Sequence, residues 1–200
     1  MARFEDEDEK AKEKDKDGES EAVFQKLLKT RTLLVSGEID KSLAEKTIRG
    51  LLLLEADGDG PIKIFIDSPG GDVDAGYAII DMMKFVGPDV WTVGMGLVAS
   101  AGALILLGSP KERRVGLPHS HYLIHQPLSG LRGVATEIEI HARELERVRE
   151  RLNHFIADET GKPYEQVVKD TDRDFWMNAE DALAYGLVSR IVTHRAEFPV

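Results

Sequence analysis

The chain has 200 residues, 42% of them hydrophobic, and a formal net charge of −10. This length suits one domain with a core of its own, and the negative charge argues against non-specific binding to the anionic nucleic-acid backbone. The sequence lacks cysteine, which excludes disulfides and thiolate metal sites, and no apolar run approaches the roughly 20 residues that span a bilayer. We therefore expect a cytoplasmic protein with neither membrane nor nucleic-acid partners.

Residues 1–22 form a segment unlike the remainder of the chain. They contain five Lys or Arg and ten Asp or Glu, so this segment supplies −5 of the net charge. Its few apolar residues do not compensate for the entropy lost when a chain becomes ordered. We expect a disordered acidic tail over 1–22, followed by a folded domain over 23–200.

Strands and helices alternate from residue 23 onward. Apolar runs predict strands over 32–39, 62–67, 90–96 and 187–192, with shorter extended pieces at 113–118 and 120–126. Helical spacing predicts helices over 40–57, 73–86, 134–159 and 179–185, and a further helix that begins within 96–104. Asp40 or Ser42 is suited to cap the first of these helices. The alternation is typical of an α/β fold with a largely parallel sheet.

The long helix predicted over 134–159 carries signals at both ends. Thr136 and Glu139 have the spacing of a capping box near its start, and Gly161 with Pro163 predicts its end. One apolar stripe runs along it, formed by Ile138, Leu145, Val148, Leu152 and Phe155. This stripe is longer than one small domain needs to cover, so we expect burial against another subunit.

The stretch GLVASAGAL, residues 96–104, contains one hydroxyl among small and apolar residues. The predicted elements put Ser100 just after a strand, on the first turn of a helix. Backbone N–H groups there lack partners within the helix, and they can stabilise the oxyanion formed when a serine attacks a carbonyl. Plain helix packing, with the serine bonded to its own backbone, is the alternative interpretation.

A serine nucleophile needs a base, and the base needs an orienting group. His125 ends an apolar strand, which is a suitable place to direct an imidazole out of a core. A core histidine bonded to a backbone carbonyl is the alternative. His119 and His121 share one face of a strand, but no further residues complete a metal site. His141 and His154 fall among charged residues of the long helix.

The acid that would orient such a base is left open by this reasoning. Asp170, Asp172 and Asp174 all lie in KDTDRDFW, residues 169–176, and a solvated acidic loop would explain them equally well. In DSPGGD, residues 67–72, two glycines leave a strand and can direct backbone N–H groups into a cleft. A type II turn is the alternative for that loop.

The order of these motifs resembles the Clp-type serine protease subunit. SPGGD, GLVASAGA, LPHSHYLIHQP, EIEIHARE and DTDRDFWMNAEDALAYGLV follow one another at the spacing of that family, over roughly residues 24–194. The resemblance implies a crotonase-like α/β fold, a ββα spiral with a protruding strand and helix, called the handle, over about 126–160. It also implies two seven-membered rings stacked around a closed chamber, fourteen subunits in all.

The resemblance assigns catalytic roles residue by residue. Ser100 matches the nucleophile, His125 the base and Asp174 the orienting acid. The backbone N–H groups of Gly71 and Ala101 match the oxyanion hole. No cofactor or metal is implied for this chain, since ATP is used by a partner unfoldase alone.

Further matches concern contacts with substrate, the second ring and a partner. Gly130 and Gly133 match the handle strand that lies against a substrate backbone. Asp172 and Arg173 match a charged pair that crosses between rings, although an exposed salt bridge contributing about 0–1 kcal/mol is the alternative. The apolar surface expected to dock a Clp-type ATPase unfoldase consists of Phe65, Phe85, Val93, Met95, Val115 and Leu117.

The sequence departs from the family pattern at several positions. The acidic tail stands where an apolar segment usually forms a hairpin around the axial pore. We expect it to slow the entry of acidic peptides, and the alternative is a disordered tail that lies outside the mouth without effect on entry. Ala101 stands where methionine is common, which should widen the adjoining pocket. His121 replaces a common arginine, and Lys63 replaces a frequent tyrosine at the rim of the docking surface.

Three functions are therefore considered. The first is an active endopeptidase that cleaves unfolded polypeptides, and the second is a catalytically silent ring subunit with a structural role. The third is an acyl-CoA hydratase or isomerase, which would use the oxyanion hole on a thioester without a triad. The presence of Ser100, His125 and Asp174 together favours the first.

Overall fold

The computed structural model describes residues 22–130, 132–198 and 200, so the predicted acidic tail lies outside it apart from residue 22. The helices are α1 (22–29), α2 (Lys41–Ala56), α3 (Val73–Phe85), α4 (Ala101–Leu107), α5 (Ala135–Thr160), α6 (Tyr164–Asp170) and α7 (Ala179–Tyr185). The strands are β1 (Thr32–Ser36), β2 (Ile62–Ser68), β3 (Val90–Ala99), β4 (Arg114–Gly116), β5 (His121–Ile124), β6 (Phe175–Met177) and β7 (Arg190–Ile191). Two short 3-10 turns cover Lys111–Arg113 and Arg195–Glu197.

The sheet runs in the order β1-β2-β3-β4-β7, and each neighbouring pair in it is parallel. β5 pairs in parallel with β3 and antiparallel with β6. The predicted α/β fold with a largely parallel sheet is confirmed. Within the described residues, no helix is both long enough and apolar enough to cross a membrane.

Strand β3 is ten residues long and pairs with two different neighbours. Its first half lies beside β4, and its last three residues, 97–99, lie beside β5. The change of partner occurs at Gly96, where φ is +53° and a Cβ would lie 2.6 Å from Asp67 Oδ1. β3 therefore extends beyond the predicted end at residue 96 and brings its carboxyl end next to that of β5.

The main core lies between the sheet and the helices packed on one of its faces. α4 is buried along its whole length, which follows from its composition of small and apolar residues only. α2 begins at Asp40, whose side chain accepts a hydrogen bond from the N–H of Leu43 at 2.7 Å. Of the two caps considered for this helix, Asp40 is therefore the one used, and Ser42 is not.

The long helix α5 ends as predicted, because Gly161 adopts the left-handed conformation with φ of 76°. Its start differs from the prediction: Val134 is the N-cap residue, and Glu137 accepts a bond from the Val134 N–H at 3.4 Å. The capping box expected between Thr136 and Glu139 is wrong.

Three further differences concern strands and short helices. The strand predicted over 187–192 is reduced to β7, and the sequence patterns missed α1, α6 and β6. The extended handle strand expected around Gly130 is not found, because residues 126–130 and 132–134 form no ladder with any described strand. A strand needs a second backbone alongside it, and the described chain supplies none there.

Candidate active site

Ser100 occupies a strained turn between β3 and α4. Its φ of 53° and ψ of −121° lie in a region that L residues rarely adopt. The turn is held because the Ser100 N–H donates to the Leu123 carbonyl at 2.9 Å, and its carbonyl accepts from the N–H of Ala103 at 2.9 Å. A sharp turn from strand to helix that exposes a hydroxyl is typical of nucleophilic serines.

The glycine loop after β2 packs directly against this turn. A Cβ on Gly70 would lie 2.6 Å from the Cβ of Ser100, and a Cβ on Gly71 would lie 2.2 Å from the Ile39 carbonyl oxygen. The Ser68 hydroxyl accepts a bond from the Gly70 N–H at 3.1 Å and keeps the loop in place. Glycine is therefore required at both positions, and the loop is more than a surface turn.

Two backbone N–H groups border the Ser100 turn. Ala101 begins α4, so its N–H has no partner within the helix. Among the described residues, neither this group nor the N–H of Gly71 donates a hydrogen bond. Both groups remain available to a developing negative charge. The Ala101 side chain is 1% exposed and close to Gly76.

His125 is paired with an aspartate through the register of two strands. In the antiparallel pair of β5 and β6, Ile124 lies opposite Phe175. One further step places His125 opposite Asp174, and Nδ1 of the imidazole lies 3.0 Å from Oδ1 of the carboxylate. The histidine side chain is 15% exposed and the aspartate side chain 61%. Nε2 of the imidazole is thus left for another partner.

The other two candidate aspartates have different neighbours. Asp170 accepts a hydrogen bond from the Tyr185 hydroxyl at 2.9 Å. The Asp172 carboxylate lies 3.9 Å from Nε of Arg173, and these side chains are 59% and 90% exposed. Of the three aspartates, only Asp174 contacts the histidine in the described chain.

Ser100 and His125 lie at the same edge of the sheet. β3 and β5 are parallel neighbours with Ala99 opposite Leu123, and such strands lie about 4.8 Å apart. Ser100 comes directly after Ala99, and His125 comes two residues after Leu123, so both residues follow the carboxyl ends of these two strands. No hydrogen bond joins the two side chains within the described residues, a geometry common before substrate binds.

The remaining predicted site residues lie farther out. Gly130 and Gly133 belong to the exposed segment between β5 and α5. His119 and His121 are exposed, and the described part of the chain contains no group of three or more metal-ligating side chains.

The expected docking residues fall into two groups. Phe65, Val93 and Leu117 line a cavity of about 190 Å³, and Val115 lies fully buried in the same apolar cluster. Phe85 is 76% exposed at the end of α3, and neither it nor Met95 lines this cavity. The sequence patterns did not predict that Val192 and Phe198 close this cavity. Phe198, an isolated aromatic residue, was a signal that could have indicated such a contact.

Comparison with known proteins identifies the family to which the chain belongs. The Clp protease family model matches residues 14–195. The Treponema denticola protein named ATP-dependent Clp protease proteolytic subunit 2 is 57% identical over 182 residues, which is 90% of this chain and 91% of the relative. The Rhizobium meliloti protein named ATP-dependent Clp protease proteolytic subunit 3 is 51% identical over 179 residues, 90% of each chain.

A solved structure gives the same result at the level of the fold. A point mutant of ClpP1 from Listeria monocytogenes matches with a TM-score of 0.82 and 50% identity, covering 87% of this chain and 98% of that one. The chain belongs to the Clp protease family. It is a proteolytic subunit, and its enzyme class is serine peptidase. The resemblance stated from the sequence motifs, and the fold class expected with it, are confirmed.

Proposed function

We propose that the chain is an endopeptidase that cleaves unfolded polypeptides to short peptides with a triad of Ser100, His125 and Asp174. The observation that carries this proposal is the 3.0 Å contact between His125 and Asp174 at the sheet edge that also bears the strained Ser100 turn. A nucleophile, a base and an orienting acid from three separate segments converge there, as acyl transfer requires.

The reaction runs in two halves. Oγ of Ser100 bonds to the peptide carbonyl carbon while Nε2 of His125 accepts the hydroxyl proton, and Asp174 keeps the other imidazole nitrogen protonated. The carbonyl oxygen becomes an oxyanion that accepts hydrogen bonds from the N–H groups of Gly71 and Ala101. His125 then gives its proton to the amine nitrogen as the C–N bond breaks. Water, deprotonated by the same imidazole, hydrolyses the ester left on the serine.

The proposal includes an assembly of two stacked seven-membered rings around a chamber, located in the cytoplasm. The exposed segment with Gly130 and Gly133 would carry an extended substrate in that chamber. Exposed Asp172 and Arg173 would pair across the ring contact. Each subunit works without a cofactor of its own, and a partner ATPase unfoldase delivers the substrate.

Covalent labelling tests the nucleophile. A fluorophosphonate probe should label the wild-type protein and leave Ser100→Ala unlabelled, and this substitution should lower hydrolysis of a fluorogenic peptide by several powers of ten. Near wild-type hydrolysis by purified Ser100→Ala would refute the assignment. A silent ring subunit would show no labelling at all, and a hydratase would turn over a thioester without labelling.

A matched pair of substitutions tests the acid. Asp174→Asn should abolish most activity, because the imidazole loses the partner that holds its tautomer. Asp172→Asn, two residues away, should retain the activity of intact rings. The reverse order would assign the acid to Asp172.

A further inference from the structure

A second, smaller apolar cluster lies apart from the main core of the sheet. Its buried members are three valines, Val93, Val115 and Val192, and the aromatic rings of Trp91 and Phe198 lie 5.7 Å apart beside them. The cavity of about 190 Å³ opens here, and residues 192–195 and 198 close one side of it. In the described part of the chain, this face of the sheet is covered by residues 192–198, called the C-terminal turn, which include the 3-10 turn Arg195–Glu197.

Lys63 lies on the same face. Side chains alternate along a strand, so Lys63 and Phe65 point to one side of β2, and their register partners on β3 are Trp91 and Val93. Lys63 is only 8% exposed, yet none of the described carboxylates forms an ion pair with it. Its pKa is lowered by burial first and then by the positive charges of Arg195 and Arg31.

The other described charged groups of this region have partners other than Lys63. Arg195 forms no ion pair within the described chain, and its guanidinium lies 5.4 Å from the centre of the Phe198 ring. Arg31 donates to the carbonyl of Gly60 at 2.8 Å. Glu197, the acid of the C-terminal turn, accepts from the Thr193 N–H at 2.7 Å. Among the described residues, cations therefore collect beside an apolar cavity without a facing carboxylate, although the Lys63 side chain is largely covered.

We propose that this face, the Lys63 site (Lys63, Phe65, Trp91, Arg195 and Phe198), binds a partner polypeptide segment in which an apolar side chain stands next to an acidic one. The apolar side chain fills the cavity, and the carboxylate pairs with Lys63 and Arg195. The inference rests on the proposed docking of an ATPase partner and narrows it to segments that carry an acid. Charge complementarity of this kind selects among partners that share the same apolar anchor.

Two peptides that differ in one group test this proposal. Fluorescently labelled Gly-Leu-Phe-Glu-Gly and Gly-Leu-Phe-Gln-Gly are titrated with full-length Ser100→Ala protein, which leaves the probes uncut, and anisotropy is recorded. The acidic peptide should bind about tenfold more tightly at low salt, the gain expected of one charge-assisted contact. The difference should shrink as salt rises.

Substitutions at the site test whether Lys63 causes the preference for the acidic peptide. Lys63→Met should reduce the ratio of the two affinities to about one, whereas Lys63→Arg and the exposed control Lys169→Met should keep it. Arg195→Met, at an exposed position, should lower the ratio and serves as the second variant if Lys63→Met does not fold. Equal binding of both peptides to the parent protein, or a ratio unchanged by Lys63→Met and Arg195→Met, would overturn the proposal.

Other occupants give different results. Binding that appears only after deletion of residues 2–20 would assign the site to the chain's own acidic segment. A peptide that dissociates the particle in sedimentation would assign it to a second copy of the chain. Either result would contradict a partner segment as the occupant. Peptidase activity of wild-type protein is measured separately, so failure of the proposed reaction would be distinguished from failure of this binding site.

Discussion

The two halves of α5 have the same secondary structure and very different surroundings. In the first half, Ile138 and Ile140 are 40% and 55% exposed, while in the last turns Leu152 and Ile156 are 4% and 1% exposed. The predicted apolar stripe therefore meets the core of the protomer along only part of its length. One end of the helix is held by its own domain, and the other presents apolar side chains to a surface outside it.

The charged residues of α5 show the same contrast. Near its carboxyl end, the Glu159 carboxylate pairs with the guanidinium of Arg114, which is fully buried and also donates to the Glu159 carbonyl at 2.7 Å. In the first half of the helix, Glu144 and Arg147 form a 3.1 Å ion pair with side chains 62% and 75% exposed. The first pair connects the helix to β4, and the second is a solvated pair on one helix.

The largest effect on protomer stability should come from the buried ion pair. Glu159→Ala should lower the free energy of unfolding by about 3–5 kcal/mol, because it leaves the Arg114 cation buried without its partner. Glu144→Ala should cost about 0–1 kcal/mol. Urea unfolding at two protein concentrations measures both losses of stability, and equal losses would remove the distinction between the two halves of the helix.

The next largest effect on stability should come from truncating an isoleucine, which occurs in both the buried and the exposed half of α5. Ile156→Ala should lower the free energy of unfolding by about 2–5 kcal/mol, through lost burial and the cavity left behind. Ile140→Ala should change protomer stability by less than about 0.5 kcal/mol. Thermal and urea unfolding of the dissociated protomers measure both changes. A larger loss of unfolding free energy in Ile140→Ala than in Ile156→Ala would contradict this expectation.

The exposed half of α5 should matter for assembly instead. We expect the double substitution Ile138→Asp and Ile140→Asp to leave the circular dichroism of the protomer unchanged and to shift the particle toward smaller species, since carboxylates are costly in an apolar contact. Sedimentation velocity measures the shift. A particle of unchanged size would show that this half of the helix is not part of the subunit contact.

The smallest effect concerns the caps of α5. Val134 has extended backbone dihedral angles but no polar side chain for the first turn, so Val134→Ser should stabilise that turn by about 0.5–1 kcal/mol. Gly161→Ala at the other end should cost about 1–2 kcal/mol, because its φ of 76° is unfavourable for a residue with a Cβ. Amide hydrogen exchange resolved along the helix compares the two ends, and faster exchange near Val134 in the serine variant would contradict the first expectation.

Elements with a long local pattern were predicted well. β2, α3 and the end of α5 agree with their predicted positions within one or two residues, since apolar spacing and a terminal glycine are read from neighbouring residues. β6 was missed because its three residues form a strand only by pairing with β5. The handle strand was predicted where the described chain has no backbone to pair with it.

The sequence by itself determined the order of the longer strands and helices, the position of Ser100 at the end of a strand, and the glycines of the loop beside it. These features depend on residues close together in the chain, where spacing and backbone preference act directly. Tertiary structure decided which of three aspartates meets His125, and it placed Lys63 beside a cavity that no acid of the described residues lines. The partners His125 and Asp174 are 49 positions apart, and strand register alone brings them together. Register depends on which face of each strand is buried and on how the two strands pack together, so it is settled only when both strands are in place.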